Sequence, residues 1–201
     1  KGAALMTGTS YDRVFIDGTA ELLPNYTLEK LMHGCFEEVG VPKCTAEELE
    51  YAAALKATYP PERDVPGIGA KFDTGIAKQV KALSENMTKP VYDFLMPQYS
   101  GEGFRPGSTD VGDVSWQTPT AQIEVAAWPA GVPGHSWQVV ACGKSSMAHK
   151  AMLCAGKVIA SAAIELLEQP ALLEKAKSEF KERSASGYVC PIEPDAVPIA
   201  L

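Results

Sequence analysis

The stretch Ser146–Glu168, SMAHKAMLCAGKVIASAAIELLE, reads as the longest helix of the chain and organises everything around it. No proline interrupts it. Ala148, Ala151, Ala155, Gly156, Ala162 and Ala163 are small enough to let such a helix lie close against a sheet. Downstream, Pro170 suits the first turn of a last helix whose apolar stripe is Leu172, Leu173, Ala176 and Phe180. The tail after Gly187 carries three prolines and is expected to wrap the surface. Upstream, the Pro/Gly-rich stretch Pro129 to Gly134 leads into His135. Before it, Val111 to Ser115 and Thr120 to Ala127 predict short strands; in the second, Ala121, Ile123 and Val125 alternate with polar neighbours.

The N-terminal part reads as strand, strand, helix. Ala3 to Thr9 and Tyr11 to Asp17 are β-prone runs about Gly8, Thr9 and Ser10, and suit a hairpin. Leu28, Leu31, Met32, Cys35, Phe36 and Val39 then fall on one helical face, with Asn25 or Thr27 as cap and Gly40 as terminator. Thr45 and Glu48 form a capping box for a second helix that Pro60 and Pro61 stop. A loop follows over Pro60 to Lys71. Another helix is expected from Thr74 to Asn86, with Ile76, Val80 and Leu83 on one side, and then a loop over Pro97 to Pro106. The fold class expected from this order is α/β, a mixed sheet flanked by helices.

Composition bounds the function. The 201 residues are 46% apolar, enough to bury a core, and carry a formal charge of −7. That balance argues against a phosphate-backbone binder, which needs a basic face. No run approaches the ~18 apolar residues of a membrane span, so no membrane partner is expected. The first residue is Lys1 and a strand is expected almost at once, so the chain reads as a piece of a longer polypeptide. The five cysteines (Cys35, Cys44, Cys142, Cys154 and Cys190) are odd in number and lack a CxxC pair. They read as reduced thiols of a cytoplasmic protein, and the sequons at Asn25 and Asn86 as chance.

Three histidines limit the chemistry. His33 reads as a solvated helix residue. His135 follows the turn Pro133-Gly134 on a loop between a strand and a helix, the kind of place where metal ligands sit. His149 lies one turn into the long helix and either faces the same cleft or packs. The second constellation is Gly107-Ser108-Thr109-Asp110-Val111-Gly112-Asp113-Val114-Ser115. Its two carboxylates can bind a divalent cation or orient a histidine; equally, the segment can be a polar turn. Gly67-Ile68-Gly69 lacks the third glycine of a dinucleotide loop, and no GxSxG elbow or Walker loop occurs. A catalytic zinc takes three protein ligands, more than this segment offers with certainty.

Taken together, Gly107-Ser108-Thr109-Asp110-x-Gly112-Asp113-Val114-Ser115, Pro119-Thr120, Pro133-Gly134-His135-Ser136-Trp137-Gln138 and Ala148-His149-Lys150-Ala151-Met152 resemble a known family. It is the C-terminal part of the aminobenzoyl-glutamate utilization protein B-like amidohydrolases, within the zinc-dependent aminoacylase/carboxypeptidase superfamily. Upstream, Gly2-Ala3-Ala4-Leu5-Met6-Thr7-Gly8-Thr9 and Leu23-Pro24-Asn25-x-Thr27-Leu28 resemble the closing strands and helix of that family's lid domain.

The resemblance implies that residues 1–42 end an α+β lid or dimerisation domain and residues 43–201 form the C-terminal part of a zinc-peptidase-like catalytic domain. It implies hydrolysis of an N-acyl amino acid such as p-aminobenzoyl-glutamate by a water that zinc or manganese activates, with a glutamate as base. A dipeptidase, or a non-catalytic partner subunit with an incomplete metal site, are the alternatives. His135 matches the last metal ligand. Ser108, Thr109, Asp110, Asp113 and His149 fall at substrate-binding or supporting positions. No residue of this chain matches the general base, so the segment alone is expected to be inactive. A homodimer or heterodimer through the lid is implied. Where many relatives carry an arginine near the end of the lid strand, this chain has Pro24-Asn25.

Overall fold

A computed structural model describes residues 1–60, 74–101, 107 and 109–197. The described residues hold eight helices: α1 (Gly2–Thr7), α2 (Tyr26–Val39), α3 (Ala46–Lys56), α4 (Thr74–Glu85), α5 (Val111–Ser115), α6 (Trp137–Gly143), α7 (Ser146–Glu168) and α8 (Pro170–Arg183).

The long helix is the spine. Met147, Ala151, Cys154, Val158 and Ala162 form its buried stripe, each three or four residues from the last. Against the C-terminal half, α2 packs Cys35 and Phe36, joined at the margin by Leu31, Met32 and Val39. Against the N-terminal end, a second small core gathers Ala52 and Leu55 of α3, Val91, and Cys142 of α6 around Met147. Between α7 and α8 lies the single residue Gln169, and α8 folds back over the start of α2.

The helix signals in the sequence hold. Asn25 caps α2, its side-chain oxygen accepting from Leu28 N–H at 3.1 Å while its amide donates to Ala176 C=O at 2.9 Å. That side chain is buried, so the sequon at Asn25 has no room for a glycan. Gly40, at φ 74°, ends the helix in the backbone region that glycine tolerates best. Thr45 and Glu48 exchange both bonds of the capping box. Pro170 occupies the first turn of α8, and Ser145 caps α7. Neither Tyr51–Ala141 nor α6 itself was signalled by any periodicity, yet Tyr51 O–H donates to Ala141 C=O at 3.0 Å and joins α3 to α6.

The expected α/β class is overturned: among the described residues no strand or sheet occurs. Ala3 to Thr9 contains most of α1 instead, because Ala3-Ala4-Leu5-Met6 is a run of good helix formers closed by Gly8 at φ 64°. Tyr11 to Asp17 has no regular structure, with Val14 and Ile16 exposed. Val111 to Ser115 is the short helix α5. Thr120 to Ala127 keeps its alternation, since Ala121, Ile123 and Val125 are half-buried and Gln122 and Glu124 exposed. Ile123 and Val125 pack on the α2–α7 core. A strand, however, is made by a ladder partner as well as by an inward face, and none of the described segments pairs with it. Residues 61–71 of the predicted loop, Gly67-Ile68-Gly69 among them, and 102–106 of the loop before Gly107 lie outside the described residues.

Glu48 ties the start of α7 to α3. Its carboxylate accepts from Lys150 Nζ at 2.7 Å, Ser146 Oγ at 2.6 Å and Thr45 N–H at 2.6 Å. Those bonds, Lys150 first and then Ser146, hold the carboxyl down at about 2 against an ordinary 4.5. The ionised form therefore stabilises the fold fully above the ordinary value and loses that contribution as pH falls toward the folded one. Glu48→Gln is expected to cost about 2 kcal/mol at neutral pH. It should also flatten the acid limb of the stability curve, as urea titrations at pH 7 and pH 3 will show.

Candidate functional site

His135 stands at the end of a loop held from several sides. Pro129 and Ala130 are buried, and Ala130 N–H donates to Pro90 C=O at 2.8 Å. Tyr59 O–H donates to Ala130 C=O at 3.0 Å. On the other side, Ser136 caps α6 by accepting from Val139 N–H, and its hydroxyl donates to Pro133 C=O at 2.6 Å. Buried Gln138 donates to Thr58 Oγ1 at 3.2 Å. Between these anchors His135 itself is exposed, at φ 53°, and it is the one non-glycine at positive φ among the described residues. Left-handed backbone at a bulky residue persists only where its surroundings impose it. Here a buried turn and a helix cap fix both flanks and leave the imidazole facing solvent.

The constellation at 107–115 is built differently. Ser108 lies outside the described residues. Thr109 is exposed and its hydroxyl accepts from Val111 N–H at 3.3 Å, while Asp110 is exposed at the start of α5 without a side-chain capping bond. Asp113 and Ser115 clasp two distant segments. Asp113 accepts from Ala20 N–H at 3.2 Å and from Tyr188 O–H at 2.7 Å. Ser115 Oγ accepts from Leu23 N–H at 2.8 Å, and Trp116 Nε1 donates to Glu21 C=O at 2.9 Å. The hydrogen bond to Asp113, with a lesser one to Cys190, pushes the Tyr188 phenol well above its ordinary value. Segment 20–23 and the C-terminal tail are thus fastened to one short helix.

Gly112 explains the tightness of that clasp. A Cβ there would stand 2.0 Å from Ala20 C=O, closer than any real contact. Gly112→Ala must therefore displace backbone; it is expected to cost about 2 kcal/mol. It should also speed amide exchange at Ala20 and Leu23, which hydrogen-exchange mass spectrometry reads directly.

His149 is exposed on α7, its own N–H bonded to Ser145 C=O. His33 departs from the solvated reading, because its Nε2 bonds Met96 C=O at 2.8 Å and its Nδ1 lies 3.8 Å from Glu37. No hydrogen bond or ion pair among the described residues links His135 or His149 to Asp110 or Asp113. No group of three His, Cys, Asp or Glu among the described residues is placed to hold a metal ion. Taken alone, these residues do not fit a metal centre, and no reaction step through a metal follows from them. Thiol chemistry is equally unsupported: burial pushes the Cys35, Cys142 and Cys154 thiols up, away from the reactive thiolate. All five cysteines are unpaired, and Cys190 is exposed.

A second polar cluster, which the sequence did not mark, joins α8 to the start of α2. The Glu179 carboxylate accepts from Tyr26 N–H at 2.7 Å, Thr27 N–H at 2.9 Å and Thr27 Oγ1 at 2.7 Å. Arg183 Nε donates to it at 3.1 Å while the guanidinium stacks 3.9 Å over the Tyr26 ring. Burial opposes ionisation of Glu179. The bonds from Thr27, Tyr26 and Arg183 outweigh it and hold the carboxyl below its ordinary value. Within this cluster only the i, i+4 pair Glu179–Arg183 is local in sequence.

A comparison with known proteins supports the resemblance of the chain's motifs to the aminobenzoyl-glutamate utilization protein B-like proteins. The B subunit of p-aminobenzoyl-glutamate hydrolase from Escherichia coli (strain K12) is 34% identical to it over 203 aligned positions, covering 100% of this chain. The chain spans 42% of that protein's length. No family model and no solved structure matches. No helix among the described residues is long and apolar enough to cross a membrane.

Proposed function

We propose that this chain is part of a hydrolase that cleaves the amide bond of an N-acyl amino acid, p-aminobenzoyl-glutamate being the concrete case. The similarity of the whole of this chain to part of a hydrolase subunit carries the reading. The chain's own contribution is His135, presented to solvent by a loop anchored on both sides. In the whole enzyme His135 serves as one donor to a divalent metal, zinc or manganese, and the other donors and the general base come from elsewhere in the polypeptide. Thr109, Asp110 and His149 are exposed and reachable by a substrate, whereas Asp113 takes part through the clasp that positions α5. Residues 1–42 belong to the lid and 43–201 to the catalytic domain. The relative's name as a subunit supports a partner chain, and the thiols, unpaired throughout, suit a cytoplasmic setting.

The test is release of free glutamate from p-aminobenzoyl-glutamate. It needs a metal-loaded longer polypeptide, in which this chain replaces the matched region of the Escherichia coli protein. Turnover supports the assignment. A loaded preparation that spares this substrate but cleaves dipeptides moves the activity to the dipeptidase alternative.

A further inference from the structure

Two kinds of bond hold the loop of His135. Ser136 Oγ donates to Pro133 C=O at 2.6 Å and accepts from Val139 N–H, so the segment from Pro133 to Val139 keeps its own shape. Such local bonds travel with the loop. Its place is set from the end of α3. Tyr59 O–H donates to Ala130 C=O at 3.0 Å, upstream of His135. Downstream of it, Gln138 Nε2 donates to Thr58 Oγ1 at 3.2 Å, and Thr58 Oγ1 donates in turn to Leu55 C=O at 2.7 Å. The neighbours Thr58 and Tyr59 thus grip both flanks of a residue whose left-handed backbone needs support from outside. A further tether, Ala130 N–H to Pro90 C=O, is backbone to backbone and fixes the upstream flank.

These side-chain bonds are not what keeps α3 and α6 together. Ala52 and Leu55 of α3 meet Cys142 of α6 in one small core with Val91 and Met147, an apolar contact. Gln138 is the telling residue. It is only 7% exposed, and at that depth an apolar side chain of similar shape supplies comparable stability, because a hydrogen bond made in folding largely replaces one to water. What a buried, satisfied amide adds is direction.

We infer that Thr58, Tyr59 and Gln138 are positioning residues, which fix where the His135 imidazole stands relative to α3 and contribute little to folding. The inference rests on the reading of His135 as a functional residue given above. A displacement of about 1 Å at a reacting group costs on the order of a hundredfold in rate, so bonds worth little in stability weigh heavily in turnover.

The test combines Thr58→Val with Gln138→Met in the longer, metal-loaded polypeptide. Removing both partners at matched shape leaves neither one buried and unsatisfied, and Thr58 N–H still serves Leu55 C=O at 3.0 Å. The melting temperature should stay within about 3 °C of the parent. Meanwhile kcat for p-aminobenzoyl-glutamate should fall at least about tenfold with KM changed less than about twofold. Thr58→Ser, which keeps the hydroxyl, should turn over like the parent, and Tyr59→Phe should repeat the loss. In a His135→Ala background the double variant should cost less than about twofold, because the bonds act through that ring. Equal losses in the two backgrounds, or parental turnover in the double variant, overturn the inference. So does a drop of more than about 6 °C in melting temperature, which makes the bonds structural. Should the parent spare the substrate, or His135→Ala cleave it normally, the reading of the site fails instead, and the 201-residue chain decides about the bonds. There the amide NMR signals of Gly134, His135 and Ser136 should split or broaden in the double variant, which sustains the positioning role; unchanged signals overturn it.

Discussion

Replacing His135 by alanine in the longer polypeptide should lower kcat/KM for p-aminobenzoyl-glutamate by more than about a hundredfold, since residues that merely support a metal ligand already cost ten- to a hundredfold. Bound metal, measured by elemental analysis of the dialysed protein, should fall in parallel. Stability should hardly change, because the imidazole is exposed and the loop is anchored by Pro129, Ala130, Tyr59 and Ser136 rather than by the ring. A glycine there would relieve the positive φ, so His135→Gly is expected to be at least as stable as the parent while still inactive. That pair of results separates a ligand from a structural residue. Unchanged metal content and turnover in His135→Ala would remove the residue from the site.

The largest stability effect is expected at Glu179. Its alanine variant strips the acceptor from two N–H groups and one hydroxyl at the start of α2, and leaves Arg183 without its carboxylate. The loss should be about 3 kcal/mol, the range for breaking one side of a partly buried ion pair. That corresponds to a fall of roughly 6–12 °C in Tm for a chain of this size. Glu179→Gln should retain part of the stability, because the amide oxygen can still accept from Tyr26 or Thr27 but carries no charge for Arg183 or the helix N-terminus. The folded carboxyl is held below its ordinary value, so the interaction is complete above that value and fades as pH falls through the folded one. The gap in melting temperature between parent and Glu179→Ala should therefore narrow as pH is lowered from 7 into the acid range. If the gap does not narrow, the contribution is packing rather than charge.

Local signals and long-range ones separate cleanly in this molecule. The helical features read from three- and four-residue spacing survive: the stripe of α2 with its Asn25 cap and Gly40 stop, the Thr45–Glu48 box, Pro170 at the head of α8, the span of α7. Each depends on residues three or four apart, which a helix brings together by itself. The strands fail for the complementary reason. Alternation at Thr120 to Ala127 correctly marks which side chains turn inward, but pairing requires a second segment, and short runs such as Val111 to Ser115 are too brief for period to decide.

The candidate site follows the same division. His135 was legible because it follows the turn Pro133-Gly134 of a Pro/Gly-rich loop, a pattern of consecutive residues, whereas the Ser136 cap and α6 behind it were not. The role of Gly112, Asp113 and Ser115 in clasping segment 20–23 and Tyr188 was not, since those partners lie over 70 residues away. By itself, then, the amino-acid order carried the family resemblance, the helices α2, α3, α4, α7 and α8, and the loop that holds His135, all written in neighbouring residues. Tertiary structure alone decided that the remaining described segments stay unpaired, that Glu179 and Glu48 lock helices distant in the chain, and that α7 leaves Met152, Ile159 and Leu167 exposed. Those outcomes depend on which surfaces meet, and no local pattern encodes the identity of a neighbour.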